Sequence, residues 1–341
     1  MKKRFIAAVL FLSPLGLGAK TPGAAFLAVD PSVRAESLGG ISAAAFGAEA
    51  LGANPALVTP THGRSEFYAT FSQLWGDTTD GHVAFATGLD PKTAMALSAR
   101  FMASDPAGGR DASGQPTGAD TSARHTTVAG ALSRKLARGL RVGAAGRFFE
   151  STLAGESSGV GWSVDAGVSY VVKDVLLSAA VNQLGPGIQY IHQSDPLPSV
   201  LRLETSWEPG AVTFLAGYHR SLAGAGSEAA LGFEYRWRSL SLRAGLRTSL
   251  GGADNLALDA QSTADGLLDH FTTGFGLKLG ENLRLDYAFQ QSAPEWGSDH
   301  SLALAWSWGE ILRSPAPRPA GFKPKNPGKA GTPNKRPKLT K

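Results

Sequence analysis

The chain has no cysteine among its 341 residues. A disulfide framework is thereby excluded, and the fold has to be held by hydrogen bonding and packing. Charge is also scarce, at 18%. Past residue 20 there is no run of the roughly 18 apolar residues that a spanning helix requires, and a mean hydropathy of −0.08 agrees in excluding a helical membrane protein. Chemistry-bearing patterns are equally thin. The seven histidines (His62, His82, His125, His192, His219, His270, His300) are scattered singly, with no His-x-x-x-His pair and no phosphate-cradling glycine loop followed by Lys-Ser/Thr. His300 and Ser301 are neighbours, so on a strand they face opposite sides and cannot form a dyad. Neither an enzyme nor a metal or cofactor is expected.

The net charge of +5 is local. Residues 314–341 hold eight bases and no acid, which leaves −3 for residues 1–313. The basicity belongs to a Pro/Lys-rich tail, and nucleic acid is not an expected partner. With so few apolar side chains, residues 310–341 read as disordered. At the other end, Met1-Lys2-Lys3-Arg4, an apolar run Phe5 to Leu12 and small residues Gly16 to Ala19 read as a secretory signal peptide over residues 1–19. Residues 20–62 are rich in glycine and alanine and read as a compact, partly helical element.

Glycine, at 42 residues, and strict alternation are what the chain has in abundance. In Ser301 to Trp308, Leu302, Leu304, Trp306 and Trp308 fall on one face; Ser301, Ala303, Ala305 and Ser307 fall on the other. The same period of two predicts fourteen strands: 64–75, 80–89, 92–103, 122–136, 139–150, 159–172, 174–184, 197–208, 211–221, 227–238, 239–249, 269–279, 282–292 and 298–309. Tight turns such as Arg138-Gly139 and Arg238-Ser239 alternate with longer polar segments at 104–121, 185–196 and 250–268, the asymmetry of outer-membrane barrels with short periplasmic turns. An even strand count then puts both termini in the periplasm. Tyr68 and Trp75, Trp162 and Tyr170, Trp207, Tyr218, Tyr235 and Trp237, and Trp306 and Trp308 are expected at the two headgroup girdles. The predicted fold is all-β: a closed antiparallel transmembrane β-barrel of about 14 strands over residues 63–309, its last strand pairing with residues 64–75.

On these faces Arg141, Arg147, Asp165, Arg202, Glu204, Glu234, Arg236, Arg243, Arg247, Arg284 and Asp286 point inward. A charge on the lipid face costs about 2–4 kcal/mol at midplane, so the lumen is where charges belong. The favoured reading is a salt-bridged interior, with a polar conduit or ligand funnel as the functional alternative.

Phe26-Leu27, Arg34-Ala35 through Leu38-Gly39-Gly40, and Asn54-Pro55-Ala56 resemble the opening of the PorV/PorQ family of outer-membrane proteins, itself similar to the long-chain fatty-acid transporter superfamily. Asn182 to Ile188 with Pro196-Leu197-Pro198, Leu231 to Tyr235 with Leu242 to Gly245, and Gly274 to Leu277 with Leu285 to Phe289 resemble the same family. The resemblance spans about residues 24–309. It implies that residues 20–62 form a small, partly helical hatch in the barrel lumen, with Arg34, Gly39, Gly40, Asn54, Pro55 and Ala56 as its motif. Pro55 has a fixed φ and pushes Asn54 out of the helical region, a rigid bend suited to holding a plug. The resemblance also implies a type IX secretion role in the outer membrane, binding or shuttling exported cargo and meeting secretion-system subunits through loops such as 104–121 and 250–268. A transporter of hydrophobic small molecules and a purely structural barrel are the alternatives. Transport needs an apolar passage past the hatch, and charged lumen residues sealing it on all sides would exclude it.

Overall fold

The computed structural model describes residues 23–60, 63–74, 77–104, 115, 122–154, 157–190, 193–224, 226–250, 271–291 and 298–309. The signal peptide, the basic tail, Trp75 and nearly all of the segments 104–121 and 250–268 lie outside them.

Alternation along the chain folds into β1 (Arg64–Leu74), β2 (Thr78–Gly88), β3 (Thr93–Ser104), β4 (Ala123–Ala137), β5 (Leu140–Leu153), β6 (Ser157–Val172) and β7 (Val175–Leu184). A short hairpin follows, β8 (Ile188–Tyr190) and β9 (Gln193–Asp195), then β10 (Val200–Trp207), β11 (Val212–Ser221), β12 (Ser227–Trp237) and β13 (Leu240–Ser249). The last strands are β14 (Phe271–Leu279), β15 (Leu283–Gln291) and β16 (Ser298–Gly309). All but β8 and β9 form one closed antiparallel barrel of fourteen strands, and β10 pairs directly with β7. Closure is in register from Arg64 opposite Gly309 to Gln73 opposite His300. Closing the sheet leaves no edge strand, so the ladder groups pair within the barrel, as a lipid surround demands, apart from register shifts at Lys135–Ala137 and Val164–Ala166. The segment 185–196, expected as a plain loop, contains the β8–β9 hairpin, with Ile188 fully buried.

The face assignments hold. Leu231, Phe233, Tyr235 and Trp237 are exposed outward, as are Trp162, Val164, Val168 and Tyr170, while Ser163, Asp165, Glu234 and Asp286 are buried inside. A continuous outer band of exposed leucine, valine and aromatic side chains is the surface of a barrel embedded in lipid. Near the rim bearing the tight turns, Trp306 stacks on Trp308 at 4.7 Å, and Trp207, Phe214 and Phe233 form a chain of ring contacts at 5.7 and 5.5 Å. Tyr68 is the correction among the expected girdle residues: it is 1% exposed and points into the lumen.

The lumen is filled by residues 23–60. The expected helicity takes the form of short 3₁₀ turns at Ala25–Ala28, Ser42–Ala44, Gly47–Gly52 and Pro55–Leu57, and a single α-turn, α1 (Val33–Glu36). Repeated glycine and proline leave no stretch long enough for a regular helix. The barrel's own first and last strands end at the tight-turn rim, but Gly23 is at the opposite end, where its N–H donates to Pro196 O at 2.9 Å. The hatch thus runs the height of the lumen before the chain enters β1.

Candidate functional site in the lumen

Hatch and wall are joined by a circuit of alternating charges. Arg34 of α1 donates from Nη2 and Nε to Glu234 at 2.9 and 3.2 Å. Arg243 donates from Nε to the same carboxylate at 2.7 Å and from Nη1 to Asp286 at 2.7 Å. Arg284 donates to Asp286 at 2.5 Å and to Glu49 of the hatch at 2.8 Å. Ser32, whose hydroxyl accepts from Ala35 N at the start of α1, donates to Glu49 and closes the circuit. Three guanidiniums and three carboxylates balance, which is the condition under which charges of this burial are tolerated. Local geometry makes it possible. Glu234 and Arg243 are direct partners across the β12–β13 hairpin, and Gly276 leaves the gap through which Arg243 reaches Asp286, since a Cβ there would lie 2.5 Å from Arg243 and 2.7 Å from Asp286.

A second anchor is Glu204 on β10. Its carboxylate accepts from Ser42 N, Ser42 Oγ and Ala43 N at 3.2, 2.7 and 2.7 Å and is bonded to His219 Nε2 at 2.8 Å; Arg202 lies 3.9 Å away and donates to Gly40 O. Other ties encircle the hatch. Arg100 forks onto Asp80 at 2.7 and 2.9 Å and donates to Val29 O; Arg147 bonds Asp165 and Gly52 O; Asn182 and Gln183 donate to the carbonyls of Ala53 and Leu27. Val33 N donates to the buried Tyr68 hydroxyl at 3.0 Å, which explains why that tyrosine left the girdle.

The hatch motif seats against glycines of the wall. Asn54 is extended (φ −139°, ψ 105°), as Pro55 requires; its Oδ1 accepts from Ala56 N at 2.9 Å and its amide donates to Ser178 at 2.7 Å. A Cβ at Gly167 would fall 2.0 Å from that Oδ1, and one at Gly143 would fall 2.3 Å from the Pro55 carbonyl carbon. Gly39 and Gly40 are left-handed (φ 74° and 75°), and Gly39 N sits 2.1 Å from where a Gly245 side chain would start. The glycine abundance of the strands therefore makes room for hatch backbone. Gly167→Ala and Gly245→Ala should each lower the resistance of the hatch to limited proteolysis, a cost of about 1–3 kcal/mol for forced overpacking; Gly146→Ala, where an added Cβ meets nothing, is the matched control.

Of the other predicted inward charges, Arg236 shares the inward parity of Glu234 but sits at the tight-turn rim, bonded to Glu208 and Gly210 O of the β10–β11 turn and not to the hatch. Arg247 reaches toward Gly40, whose Cβ would lie 3.6 Å from it. Asn182 and Gln183 belong to a stretch that carries the family resemblance, whereas Asp80, Arg100 and Ser178 are not singled out by the sequence; the signal for Asp80 and Arg100 is an acid and a base on the inward faces of adjacent strands.

Charge does not surround the hatch on every side. Ala86, Ala96, Ala131 and Ala145 lie directly opposite one another across β2, β3, β4 and β5 and pack with Leu51, Leu57 and Val58 of the hatch in one apolar cluster. At the long-loop end, Phe26 and Leu27 of the first hatch turn pack with Leu74, Met102, Phe149, Ile188 and Leu197. Phe26 stacks on His125 at 4.1 Å and meets Phe149 edge-on at 5.9 Å. At the tight-turn end a cleft of about 490 Å³ opens between hatch and wall, lined by Phe46, Tyr68, Trp306, Arg34, Glu66 and Arg284 among others.

One hatch group titrates in a useful range. Burial pushes the Glu36 carboxyl from the ordinary 4.5 up to about 8, and the negative charge of Asp299 adds to this. A raised carboxyl favours the neutral form in the seated hatch, so its contribution is full below about pH 4.5 and is lost as pH rises through about 8. Proteolytic protection of the hatch should therefore fall between about pH 4.5 and 8 and level off above, and Glu36→Gln should flatten that dependence.

One hydroxyl lies beside a base: His125 Nδ1 is 2.9 Å from Ser151 Oγ, which also accepts from the Tyr190 hydroxyl at 2.7 Å, and the His125 ring is stacked on Phe26. The string Gly155 to Gly159 has Gly-x-Ser-x-Gly spacing, but Ser157 begins β6 and pairs with Leu153 in an antiparallel hairpin, whereas a nucleophile elbow needs a strand-to-helix turn. Among the described residues no group of three or more His, Asp or Glu side chains is placed to hold a metal ion.

No family model matches the chain, and no curated protein matches it. Solved structures do. The Pseudomonas putida toluene transporter TodX, 12% identical, aligns over 83% of this chain and 99% of its own with a TM-score of 0.59. The Ralstonia pickettii toluene transporter TbuX, 15% identical, aligns over 82% and 98% with a TM-score of 0.53. A Pseudomonas aeruginosa FadL homologue, 10% identical, aligns over 82% and 98% with a TM-score of 0.51. The narrower resemblance drawn from the sequence, to PorV/PorQ, is not confirmed by these likenesses. At such identities what is shared is architecture: this chain has the fold of the FadL-type outer-membrane barrels.

Proposed function

We propose that the protein is a non-enzymatic conduit for small hydrophobic molecules across the outer membrane, with the tight-turn rim facing the periplasm and the hatch as its closed gate. The observation that carries this reading is the apolar track inside an otherwise polar lumen. It is made of two successive apolar clusters, Phe26, Leu27, Met102 and Phe149 at the long-loop end and the alanine row of β2–β5 with Leu51, Leu57 and Val58. A barrel whose interior served only to be braced would have no need of an apolar flank facing its plug. The toluene transporters of the same architecture support the same reading. In the structure described the track is occupied by the hatch itself, so passage requires the hatch to shift along its alanine side while the charged side acts as the hinge. Type IX secretion finds no support in these comparisons, and the loops on which cargo binding would depend lie outside the described residues.

The test is binding and uptake of a monoaromatic hydrocarbon. Cells making the protein should accumulate labelled toluene faster than cells without it, and Phe149→Asn should weaken binding to the purified barrel by about tenfold, the scale of one buried aromatic contact. Equal uptake with and without the protein would end the proposal.

A further inference from the structure

We infer that an arc of the tight-turn rim, formed by Lys92, Arg134, Lys135 and Arg138, binds the phosphate headgroups of anionic phospholipids in the adjoining leaflet. The inference rests on the reading of the chain as a membrane-embedded barrel, though not on what the barrel carries.

The four bases come together because the β2–β3 and β4–β5 turns are neighbours on the rim: Lys135 N donates to Lys92 O at 2.7 Å, and Arg134 lies opposite Thr93 on β3. None of the four makes an ion pair among the described residues. Asp90 of the same turn accepts from Lys92 N and Thr93 N at 2.7 and 2.8 Å and interacts electrostatically with Arg134, so one carboxylate stands against four bases. Elsewhere on this rim Arg236 pairs with Glu208, Arg238 lies over the Trp237 ring at 5.5 Å, Arg64 donates to Asn282 and Ser307, and Lys173 and Lys278 stand singly at other turns. Among the described residues of this rim, this arc gathers several cations against one acid, and an anion from outside the chain would offset the repulsion that remains.

Its position decides which anion. Arg134 stands in the outward file of β4 between Leu132 and Leu136, both 58% exposed, with Leu89 exposed on the neighbouring turn. The charges therefore continue directly from the apolar belt, at the depth where a lipid headgroup meets its acyl chains. An acidic soluble partner would find half of its footprint covered by leucine and lipid. Arginine offers a phosphate two parallel N–H donors, and the lysines add mobile point charges, the usual composition of an anionic-lipid site.

The experiment uses the full-length protein reconstituted in vesicles of phosphatidylethanolamine with a minor fraction of phosphatidylglycerol, followed by native mass spectrometry of the released barrel. Bound phosphatidylglycerol should be enriched over its share of the vesicle. A K92Q/R134Q/R138Q variant should lose that enrichment by about fivefold for each base removed, the effect of one cation near an anionic surface. A matched R238Q/K278Q variant on the opposite arc should keep it. Equal enrichment in wild type and the triple variant, equal loss in both variants, or displacement of the lipid by inorganic phosphate at equal concentration would each overturn the assignment. If the triple variant does not fold, R134Q alone with a salt titration of the wild-type enrichment decides, because an electrostatic headgroup site must weaken as salt rises. Failure here would leave toluene uptake untouched, and failure of uptake would leave the lipid enrichment in place.

Discussion

Replacing Arg243 by methionine should loosen the hatch by about 3–5 kcal/mol, the cost of removing one partner from a buried ion pair. Arg243 alone joins Glu234 to Asp286, and both carboxylates are about 1% exposed. Without it each keeps one guanidinium, Arg34 or Arg284, and both of those are partly exposed and anchored on or toward the hatch. The circuit then opens at its wall side. The measurement is single-channel conductance in planar bilayers together with trypsin cleavage after Arg34. The variant should show frequent open events and rapid cleavage, where the wild type shows few and slow. A double variant that also removes the charges of Glu234 and Asp286 (E234Q/D286N with R243M) should recover part of the loss, since it no longer buries unpaired carboxylates. If R243M remains as closed and as protected as wild type, the circuit is an ornament of the wall and not a latch.

The second large effect is at Glu204. Its carboxylate is the common acceptor for Ser42 N, Ser42 Oγ, Ala43 N and His219, so Glu204→Ala leaves several buried donors unmet at about 1–3 kcal/mol each. Hydrogen exchange should report this locally: the amides of Ser42 and Ala43 should exchange at least tenfold faster, while ladder amides of β10 and β11 change little. Glu204→Gln keeps the shape but has one acceptor oxygen, and it should fall between the two. Uniform loss of protection around the barrel would mean instead that Glu204 supports the sheet and not the hatch.

The two anchors differ in how far a reader of the sequence could have found them. Glu234 and Arg243 were assigned inward on consecutive strands joined by a two-residue turn, so their pairing follows from alternation and hairpin register. Asp286 and Arg284 share one face for the same reason. Their connection to Arg34 and Glu49 is another matter, because nothing in a period of two says which hatch residue meets which strand 200 positions later. Tyr68 shows the failure most clearly. An aromatic residue on a lipid-spanning strand is read as a girdle residue, and only the hatch backbone at Val33 supplies the donor that draws its hydroxyl inside.

The alanine row and the wall glycines were read by composition as a small-residue lumen, with no account of their purpose. Ala86, Ala96, Ala131 and Ala145 are separated by 10, 35 and 14 positions and become one level surface only when four strands take their register. The β8–β9 hairpin was missed because three-residue strands carry no usable alternation.

The sequence by itself determined the barrel: strand number, faces, turn asymmetry and closing pair all follow from side-chain alternation and turn chemistry, which act over a few residues and so are written locally. Only the tertiary structure decided the lumen. Which side of the hatch is bound by charge and which by alanine depends on the stagger of fourteen strands and the path of a plug with no regular period, and those are set by contacts between residues far apart in the chain.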